Sequence, residues 1–388
     1  MHALVIHNSL NEAGGGDRLT VTTITVLKKL GFKVTLATCE ATNWIKLKKV
    51  WGEDWVTLPD EEIYLFKKPL GTLGLYQRQL VNLRIHSTKG FDLIINTHGD
   101  LMPIRSNIIY MHFPTGLLAT SPTTSKYSFS IFWRFYYEPY ALLQKILKKL
   151  FLENSVILTN SEFTAEIIRN GYKVKPIIVY PPVDVSSFLK AFTAKKEREP
   201  IVISTGRFAP EKNYHLIPKI AKRVPEAKFY IIGTLLPRYR WYMEEIRKAA
   251  EKLNVRSRVK ILANLPFQDL LAIYSRASSY LHLMRGEHFG ISVVEAMAAG
   301  LVPIVNKIGG PWMDIIAKGK YGYGYLSIDR AVECVKRSLD VGISERKEIS
   351  RSASRFSRKA FERRFTQIIR ELGTSTPATA LNLNGNHI

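Results

Sequence analysis

The stretch SYLHLMRGEHFGISVVEAMAAGLVPIV, residues 279–305, contains the alternation that decides the fold. It starts with a short apolar run (279–283), continues through a loop into a helical run (291–300), and ends in a second apolar run (302–305). Short, almost continuous apolar runs are typical of parallel strands that are covered on both faces. Gly300 is the residue type that ends helices. The stretch therefore predicts a β-α-β unit of a parallel sheet.

The same alternation continues on both sides of this unit. Helical stretches such as 17–31, closed by Gly31, separate the apolar runs. Two successive sets of βα units predict an α/β protein with two Rossmann-like domains and a central cleft between them. The other predicted strands are residues 3–7, 33–38, 92–98, 107–113, 155–160 and 176–180 in the first half and residues 201–205, 228–233 and 258–262 in the second half.

Changes in composition along the chain predict the domain boundaries. The polar stretch AFTAKKEREP interrupts the alternation, and a basic helical segment with spaced apolar residues follows the last strand. We expect that segment to cross back to the N-terminal domain. The predicted parts are an N-terminal domain (1–190), a linker (191–200), a C-terminal domain (201–342), a crossover helix (343–372) and a disordered tail (373–388).

Composition favours a globular protein of the reducing cytosol. The chain has 388 residues, of which 46% are hydrophobic and 23% charged, and no apolar run approaches the ~20 residues of a membrane span. Its N-terminus lacks the basic region of a signal peptide. The two cysteines, Cys39 and Cys334, lie in different halves of the chain without metal-ligand spacing.

The net charge of +23 is the one extreme value of the composition. Such an excess attracts nucleic acid, an anionic membrane surface or phosphorylated substrates, and it also fits a generally basic surface. The segment 125–151 places aromatic residues ahead of Lys145, Lys148 and Lys149, and residues 44–49 (WIKLKK) repeat the theme. Aromatic residues beside lysines suit an anionic membrane surface, although an aromatic helix packed within the first domain has the same pattern.

Three loops that follow predicted strands carry candidate binding residues, because open α/β sheets bind ligands at the carboxyl ends of their strands. Gly14, Gly15 and Gly16 precede a helix, where backbone N–H groups can bind an anion; a plain strand-to-helix turn has the same appearance. No Lys-Ser/Thr pair follows these glycines, which excludes a Walker A loop. In TGRFAPEKN, Arg207 and Lys212 stand five residues apart and suit a diphosphate, or else are two solvated loop charges.

The third loop holds Glu287, and Glu295 follows it in the next helix. Carboxylates accept paired hydrogen bonds from vicinal diols, so one glutamate can hold sugar hydroxyls and the other ribose hydroxyls. The glycines of GGP (309–311) add N–H donors nearby. The sequence has no evident Asp-x-Asp metal motif, and we expect neither a metal nor another cofactor.

These motifs together resemble retaining glycosyltransferases of family 4, which have the GT-B fold. Within that family they are most similar to α-1,2-mannosyltransferases that extend dolichol-linked oligosaccharide from GDP-mannose, in the glycan biosynthesis that supplies N-glycosylation. The paired glutamates with the following GGP, the TGRFAPEKN loop, the glycine loop AGGGDR and the strand YMHFPTG carry the resemblance, over about residues 1–340. From the sequence we expect no counterpart of the membrane anchor that is common at the N-terminus of the eukaryotic enzymes.

The resemblance implies a role for each site residue. Arg207 and Lys212 would neutralise the departing diphosphate, Glu295 would bind the donor ribose, and Glu287 the hydroxyls of the transferred sugar. His112 would face that sugar, although from the residues alone a core histidine is an open alternative. The implied catalytic residues are His112, Glu287, Arg207 and Lys212, and the implied donor-binding residues are Gly15, Gly16, Arg207, Lys212, Glu287, Phe289, Gly290, Ile291 and Glu295.

The implied activity is metal-independent transfer of a hexose, with retention of configuration, from a nucleotide sugar to a lipid-linked or other glycan acceptor. The implied location is peripheral, on the cytosolic face of a membrane. A nucleotide-sugar epimerase, a soluble glucan synthase that uses UDP- or ADP-sugar, and a basic nucleic-acid-binding protein are the alternatives. The glutamate pair followed by GGP disfavours the epimerase, and the basic aromatic segment disfavours the soluble synthase. No recognised nucleic-acid module is present, so we expect no nucleic-acid partner.

Overall fold

The computed structural model describes residues 1–67, 90–101, 104–114, 155–192 and 197–374, together with residues 138, 139, 142 and 152. The chain divides into two compact units. Unit 1 comprises Met1–Pro182 and Arg358–Ile388, and unit 2 comprises Val183–Ser357.

The described residues of unit 1 form a parallel sheet of seven strands in the order β3-β2-β1-β4-β5-β6-β7. The central strands are almost wholly buried and apolar, as a sheet covered on both faces requires. Its strands are β1 His2–Ile6, β2 Lys33–Glu40, β3 Glu61–Phe66, β4 Leu93–Asn96, β5 Ile108–Met111, β6 Val156–Thr159 and β7 Ile177–Ile178. Its first helices are α1 Gly15–Lys29, α2 Trp44–Trp51 and α3 Glu162–Tyr172.

In the part of unit 2 that the structure describes, six strands form a parallel sheet in the order β10-β9-β8-β11-β12-β13. Its strands are β8 Glu199–Thr205, β9 Lys228–Gly233, β10 Val259–Ala263, β11 Ala277–His282, β12 Val302–Asn306 and β13 Tyr323–Tyr325. Its helices are α4 Val185–Leu189, α5 Ile217–Arg223, α6 Arg240–Lys252, α7 Phe267–Arg276, α8 Ile291–Ala298, α9 Ile328–Leu339 and α10 Ile343–Ser352. The prediction of two parallel α/β sheets is confirmed.

Both sheets reverse their strand order at one place. In unit 1 the order runs from β1 to β2 on one side and to β4 on the other, and in unit 2 the same happens at β8, between β9 and β11. Loops from neighbouring strands diverge at such a point and leave a crevice at the carboxyl ends of the strands. We therefore expect a ligand-binding crevice in unit 1 at the loops after β1 and β4, and one in unit 2 at the loops after β8 and β11.

The C-terminal segment returns to unit 1 as the last described helix, α11 (Arg358–Thr374). Phe361, Phe365 and Ile368 of this helix are buried in the same core as α1 and β1. The predicted crossing of a C-terminal helix to the N-terminal domain is confirmed.

The crossover is shorter than the predicted helix over 343–372. α10 belongs to unit 2, where Arg346 is buried and donates to the carbonyls of Ser278 and Gly300. The helical run is then interrupted at Ser357, whose backbone is extended, and α11, which follows, is the described C-terminal element that belongs to unit 1.

The boundary between the units also differs from the predicted linker at 191–200. The division falls at Val183, because α4 packs against α8 within unit 2 and Val183 donates to the Phe356 carbonyl at 3.0 Å. Ala191 is buried, and residues 193–196 of the predicted linker lie outside the described residues.

Other predictions fall on parts of the chain that the structure does not describe. The aromatic and lysine residues of 125–151 that suggested a membrane surface lie outside the described residues, as does the predicted tail from residue 375 onward. Across the described ranges, none of the helices combines the length and the apolar character that a membrane crossing needs.

Candidate active site

The loop between β11 and α8 holds Glu287 and continues at Gly290 into the helix. Gly290 has a φ of +102°, and a β-carbon there would lie 2.9 Å from Cγ of Pro311. The position therefore needs glycine for conformation and for space. The backbone of Glu287 pairs with Gly309, and Gly310 donates to the Glu287 carbonyl at 2.8 Å. The predicted GGP turn thus lies directly against the predicted glutamate.

Glu287 forms an ion pair with Lys212, which the sequence places 75 residues earlier. Oε2 of Glu287 lies 2.8 Å from Nζ of Lys212 and 3.4 Å from Nε2 of His282. The two side chains of the Lys212–Glu287 pair are 18% and 17% exposed, and His282 is buried. Because both contacts are made to Oε2, the other oxygen of Glu287 keeps acceptor capacity for a ligand hydroxyl.

The charges in this loop follow from burial and from the nearby lysine. Burial opposes the charge of Glu287, but the Lys212 ammonium and the His282 ring outweigh it and hold the pKa of the carboxyl well below its usual range. Burial lowers the pKa of His282, and it lowers the pKa of His288 to about 4. Near neutral pH the loop therefore presents a carboxylate beside an ammonium group and two neutral imidazoles.

The loop after β8 positions the two predicted cations differently. Gly206 donates to the Ile232 carbonyl at 3.1 Å, and a β-carbon on it would lie 2.9 Å from the Tyr214 hydroxyl and 3.6 Å from Cε of Lys212. The Lys212 side chain therefore lies beside Gly206, which has no side chain, and extends from there to Glu287. Arg207 is exposed in the same loop.

Glu295 lies in the second turn of α8, half-buried, in a different environment from Glu287. Burial raises the pKa of Tyr280 to about 12, and the negative charge of Glu295 acts in the same direction. The Tyr280 hydroxyl donates to Ser292 Oγ at 2.7 Å, one helical turn before Glu295. The structure thus separates the two predicted carboxylates: one pairs with a lysine and the other lies near buried tyrosine hydroxyls.

The two remaining predicted donor residues of unit 2 flank the start of α8. Phe289 is 4% exposed and its ring meets Phe356 edge-on, with centroids 5.5 Å apart. Ile291 is half-buried at the first position of the helix.

In unit 1 the structure brings together Gly16 and His112. α1 begins at Gly15, and a β-carbon on Gly16 would lie 3.3 Å from Nε2 of His112. His112 follows β5, is half-buried, and its Nε2 lies 3.1 Å from the Thr97 carbonyl oxygen.

Sequence reasoning missed three residues of these two loop clusters: His7, Asp17 and His282. His7 and Asp17 are buried and in contact beside Gly16, and His282 contacts Glu287. A usable signal existed, because His7 directly follows β1 and His282 ends β11, the same kind of position that drew attention to His112. Among the residues that the structure describes, no group of His, Cys, Asp and Glu side chains could hold a metal ion.

Comparisons with known proteins agree with the fold and with these motifs. Residues 185–362 match the family described as "Glycosyl transferases group 1". The chain is 32% identical over 240 residues to the GDP-Man:Man(3)GlcNAc(2)-PP-Dol alpha-1,2-mannosyltransferase of Homo sapiens, an alignment that covers 56% of this chain and 49% of the human protein. The chain therefore spans about half the length of this curated relative.

Solved structures match over almost the whole chain. Sucrose-phosphate synthase from Thermosynechococcus elongatus has a TM-score of 0.74 at 16% identity, covering 97% of this chain and 100% of its own. HepE from Anabaena, in complex with UDP and glucose, has a TM-score of 0.69 at 16% identity with the same coverage. At this identity the likeness shows the fold, which is GT-B. The segment that matches the family described as "Glycosyl transferases group 1", residues 185–362, carries Arg207, Lys212, Glu287 and Glu295.

Proposed function

We propose that the chain is a hexosyltransferase that transfers mannose from GDP-mannose to a lipid-linked oligosaccharide with retention of configuration. The observation that carries the proposal is the Lys212–Glu287 ion pair, 2.8 Å long, formed by loops that follow strands β8 and β11 at the reversal of the unit 2 sheet. A cation and a carboxylate at this place suit a ligand that carries both phosphates and hydroxyls.

The chemistry assigns a task to each charge of unit 2. The bond between the sugar C1 and the diphosphate oxygen breaks, and positive charge develops on the ring while negative charge develops on the diphosphate. Arg207 and Lys212 stabilise the leaving diphosphate, so the proposed reaction uses no metal. Glu287 remains ionised because its pKa is low, and it accepts hydrogen bonds from hydroxyls of the transferred sugar. Glu295 holds the ribose hydroxyls.

In the second part of the proposed reaction, the acceptor hydroxyl attacks the sugar and loses its proton. The acceptor hydroxyl oxygen forms the new bond to C1 on the face from which the diphosphate departs. Its proton passes to an oxygen of that diphosphate. We assign His112 of unit 1 to contact with the transferred sugar. The choice of GDP-mannose and of a lipid-linked acceptor is supported by the curated mannosyltransferases to which the chain is similar.

We further propose that the protein binds the cytosolic face of an anionic membrane as a peripheral protein. The described part of the chain supports this at α2, where Ile45 is 82% exposed and Val50 is 54% exposed. Lys46 and Lys49 are exposed on the same helix. Apolar side chains among lysines are the composition that lies in the headgroup layer of anionic bilayers.

A donor panel tests the proposed activity. GDP-mannose, UDP-glucose, ADP-glucose and UDP-galactose are compared for thermal stabilisation and for sugar transfer to a dolichol-linked oligosaccharide, with and without EDTA. We expect GDP-mannose to raise the melting temperature most, through preferential binding to the folded state, and transfer to persist in EDTA. The anomeric configuration of the product is read by NMR, and retention is expected.

Other outcomes of the panel would contradict parts of the proposal. Preference for a UDP- or ADP-sugar with a soluble acceptor would replace the mannosyltransferase assignment with a soluble synthase. Loss of transfer in EDTA would contradict the metal-independent chemistry. Absence of stabilisation by every nucleotide sugar would refute the nucleotide-sugar site itself.

A further inference from the structure

A buried histidine lies where the unit 1 sheet reverses, and the proposed chemistry does not use it. His7 follows β1 and is 2% exposed. Its Nδ1 lies 2.9 Å from the hydroxyl of Thr97, which follows β4, and 3.0 Å from the hydroxyl of Thr20 in α1. The ring therefore joins both strands at the reversal to the first helix.

Asp17 ties the other nitrogen of this ring to the glycine loop. Oδ1 of Asp17 lies 3.2 Å from Nε2 of His7, and Oδ2 accepts a hydrogen bond from the Gly14 amide at 2.9 Å. Asp17 is 7% exposed. A buried carboxylate that bridges a ring and a backbone amide fixes the position of both.

The backbone of Thr97 connects this group of side chains to His112. The Thr97 amide donates to the Ile6 carbonyl at 2.9 Å, and the Thr97 carbonyl oxygen lies 3.1 Å from Nε2 of His112. Because a carbonyl oxygen can only accept, Nε2 of His112 carries the proton of this hydrogen bond. The orientation of one peptide group thus selects the His112 tautomer.

Gly16 lies against both histidine rings. A β-carbon on Gly16 would lie 3.3 Å from Nε2 of His112 and 3.8 Å from Cε1 of His7. Both rings therefore border the space beside Gly16, so the two histidines and the glycine loop lie next to one another.

We infer that His7, held by Asp17, is a positioning residue that fixes Thr97 and through it the orientation and tautomer of His112. His7 does not touch the reacting atoms in this assignment. Its effect on turnover rests on the proposed function, since His112 is the residue that the proposal places at the transferred sugar. Its effect on the His112 tautomer does not rest on that function.

Two substitutions of similar size separate the two sides of the His7 ring. An asparagine amide reaches the place of Nδ1 and can keep the contact with Thr97, whereas a glutamine amide reaches the place of Nε2 and can keep the contact with Asp17. We expect His7→Gln to lower kcat about 10- to 100-fold with the donor KM within about 3-fold of wild type, because small misplacements of a catalytic group are costly. His7→Asn should stay within about 5-fold of the wild-type kcat.

The matched control is His2→Asn. His2 is the first residue of β1, the strand that His7 follows, and its Nε2 lies 2.8 Å from the Thr35 hydroxyl. This variant should keep the kcat and KM of wild type. Equal losses in His7→Asn and His7→Gln would overturn the route through Thr97.

A readout independent of turnover is the two-bond ¹H–¹⁵N spectrum of the histidine side chains, with His112 assigned through its own substitution. Wild type at pH 8 should show His112 protonated at Nε2, and His7→Gln should show a mixture of both tautomers while its melting temperature verifies folding. A wild-type His112 protonated at Nδ1, or an unchanged tautomer in His7→Gln, would overturn the inference. If wild type transfers no sugar from any donor, the proposed function fails and the tautomer measurement still decides the role of His7.

Discussion

At the scale of single residues, the two cations of the loop after β8 have unequal surroundings. Lys212 is held against Glu287 at 2.8 Å, whereas Arg207 is exposed. We expect Lys212→Ala and Arg207→Ala each to reduce kcat by about 100- to 1,000-fold, because each removes a charge that the proposed mechanism assigns to stabilising the leaving diphosphate. Lys212→Ala should also lower the melting temperature, since it leaves Glu287 without its ion-pair partner. Steady-state kinetics and thermal unfolding check both statements.

The control for these variants is Lys222→Ala. Lys222 is an exposed lysine on α5 in the same unit, outside the candidate site. It should leave both kcat and the melting temperature unchanged. Wild-type turnover in Arg207→Ala would end the assignment of that residue to the diphosphate.

The buried His288 makes the free energy of unfolding depend on pH, and the direction of its pKa shift fixes the sign of that dependence. Burial lowers its pKa to about 4, below the ordinary value of about 6.5 that applies in the unfolded chain. Between these two values the unfolded state binds a proton that the folded state does not, so stability falls as the pH falls below about 6.5. The loss from this group stops growing below about pH 4.

Denaturant unfolding of wild type and His288→Asn from pH 8 to pH 4 measures this contribution. The free energy of unfolding should fall less steeply with decreasing pH in the variant. Some dependence will remain, because burial also lowers the pKa of His282. Parallel curves for the two proteins would show that His288 is protonated in the folded state as readily as in the unfolded one.

At the scale of single elements, the residue that directly precedes α8 occupies a position that only glycine fits. Gly290→Ala would hold a φ of +102° and place its β-carbon 2.9 Å from Pro311. We expect a loss of about 1–3 kcal/mol in the free energy of unfolding. Gly342→Ala, before α10, is the matched control: its φ is −76° and a β-carbon there meets nothing within 4 Å. Equal stability of the two variants would contradict the role given to Gly290.

The exposed face of α2 gives the membrane proposal a test within the described residues. Each lysine near an anionic surface contributes about 1 kcal/mol, so replacing Lys46 and Lys49 by glutamate should weaken liposome binding by at least about 30-fold. Binding should be reversible and should decrease with salt. Co-sedimentation with anionic liposomes measures the effect, with Lys222→Glu in unit 2 as control. Equal sedimentation of the double variant and wild type at low salt would exclude α2 from the membrane contact.

The sequence predicted those strands and helices in which the spacing of apolar residues follows the burial of their side chains. β9 has the predicted bounds of 228–233, and α8 ends just before Gly300, whose φ is +76°. β3, residues EEIYLF, was missed because it begins with two glutamates and is only partly buried. β13 was missed because its three residues include a glycine and form too short a run.

At the scale of the whole molecule, the sequence located the loops of the candidate site and could not pair their side chains. Placing Arg207, Lys212 and Glu287 at carboxyl ends of strands needed only the βα alternation. The contact between Lys212 and Glu287 depends on β8 and β11 being neighbours, which strand order alone decides. The same limit hid the contact between His7 and Thr97, which are 90 residues apart in sequence and adjacent at the β1–β4 reversal.

The two units also differ in how the chain builds them. Unit 2 is one continuous segment, whereas unit 1 is completed only by α11, the last described helix. Phe365 of α11 is 1% exposed and its ring stacks on Phe361 with centroids 5.3 Å apart, in the core that contains α1 and β1. Residues near the end of the chain therefore hold together the unit that carries His7 and His112.

We expect Phe365→Ala to destabilise unit 1 by about 3–5 kcal/mol, the usual loss for a buried phenylalanine, and to leave unit 2 unchanged. Amide hydrogen exchange measured by mass spectrometry resolves the units: peptides from β1 and α1 should lose protection, and those from β8 and β11 should keep it. Arg363→Ala, at an exposed position of the same helix, is the control and should leave both units as in wild type. Equal loss of protection in both units would show that they unfold as one cooperative body, and no loss in either would remove α11 from the core of unit 1.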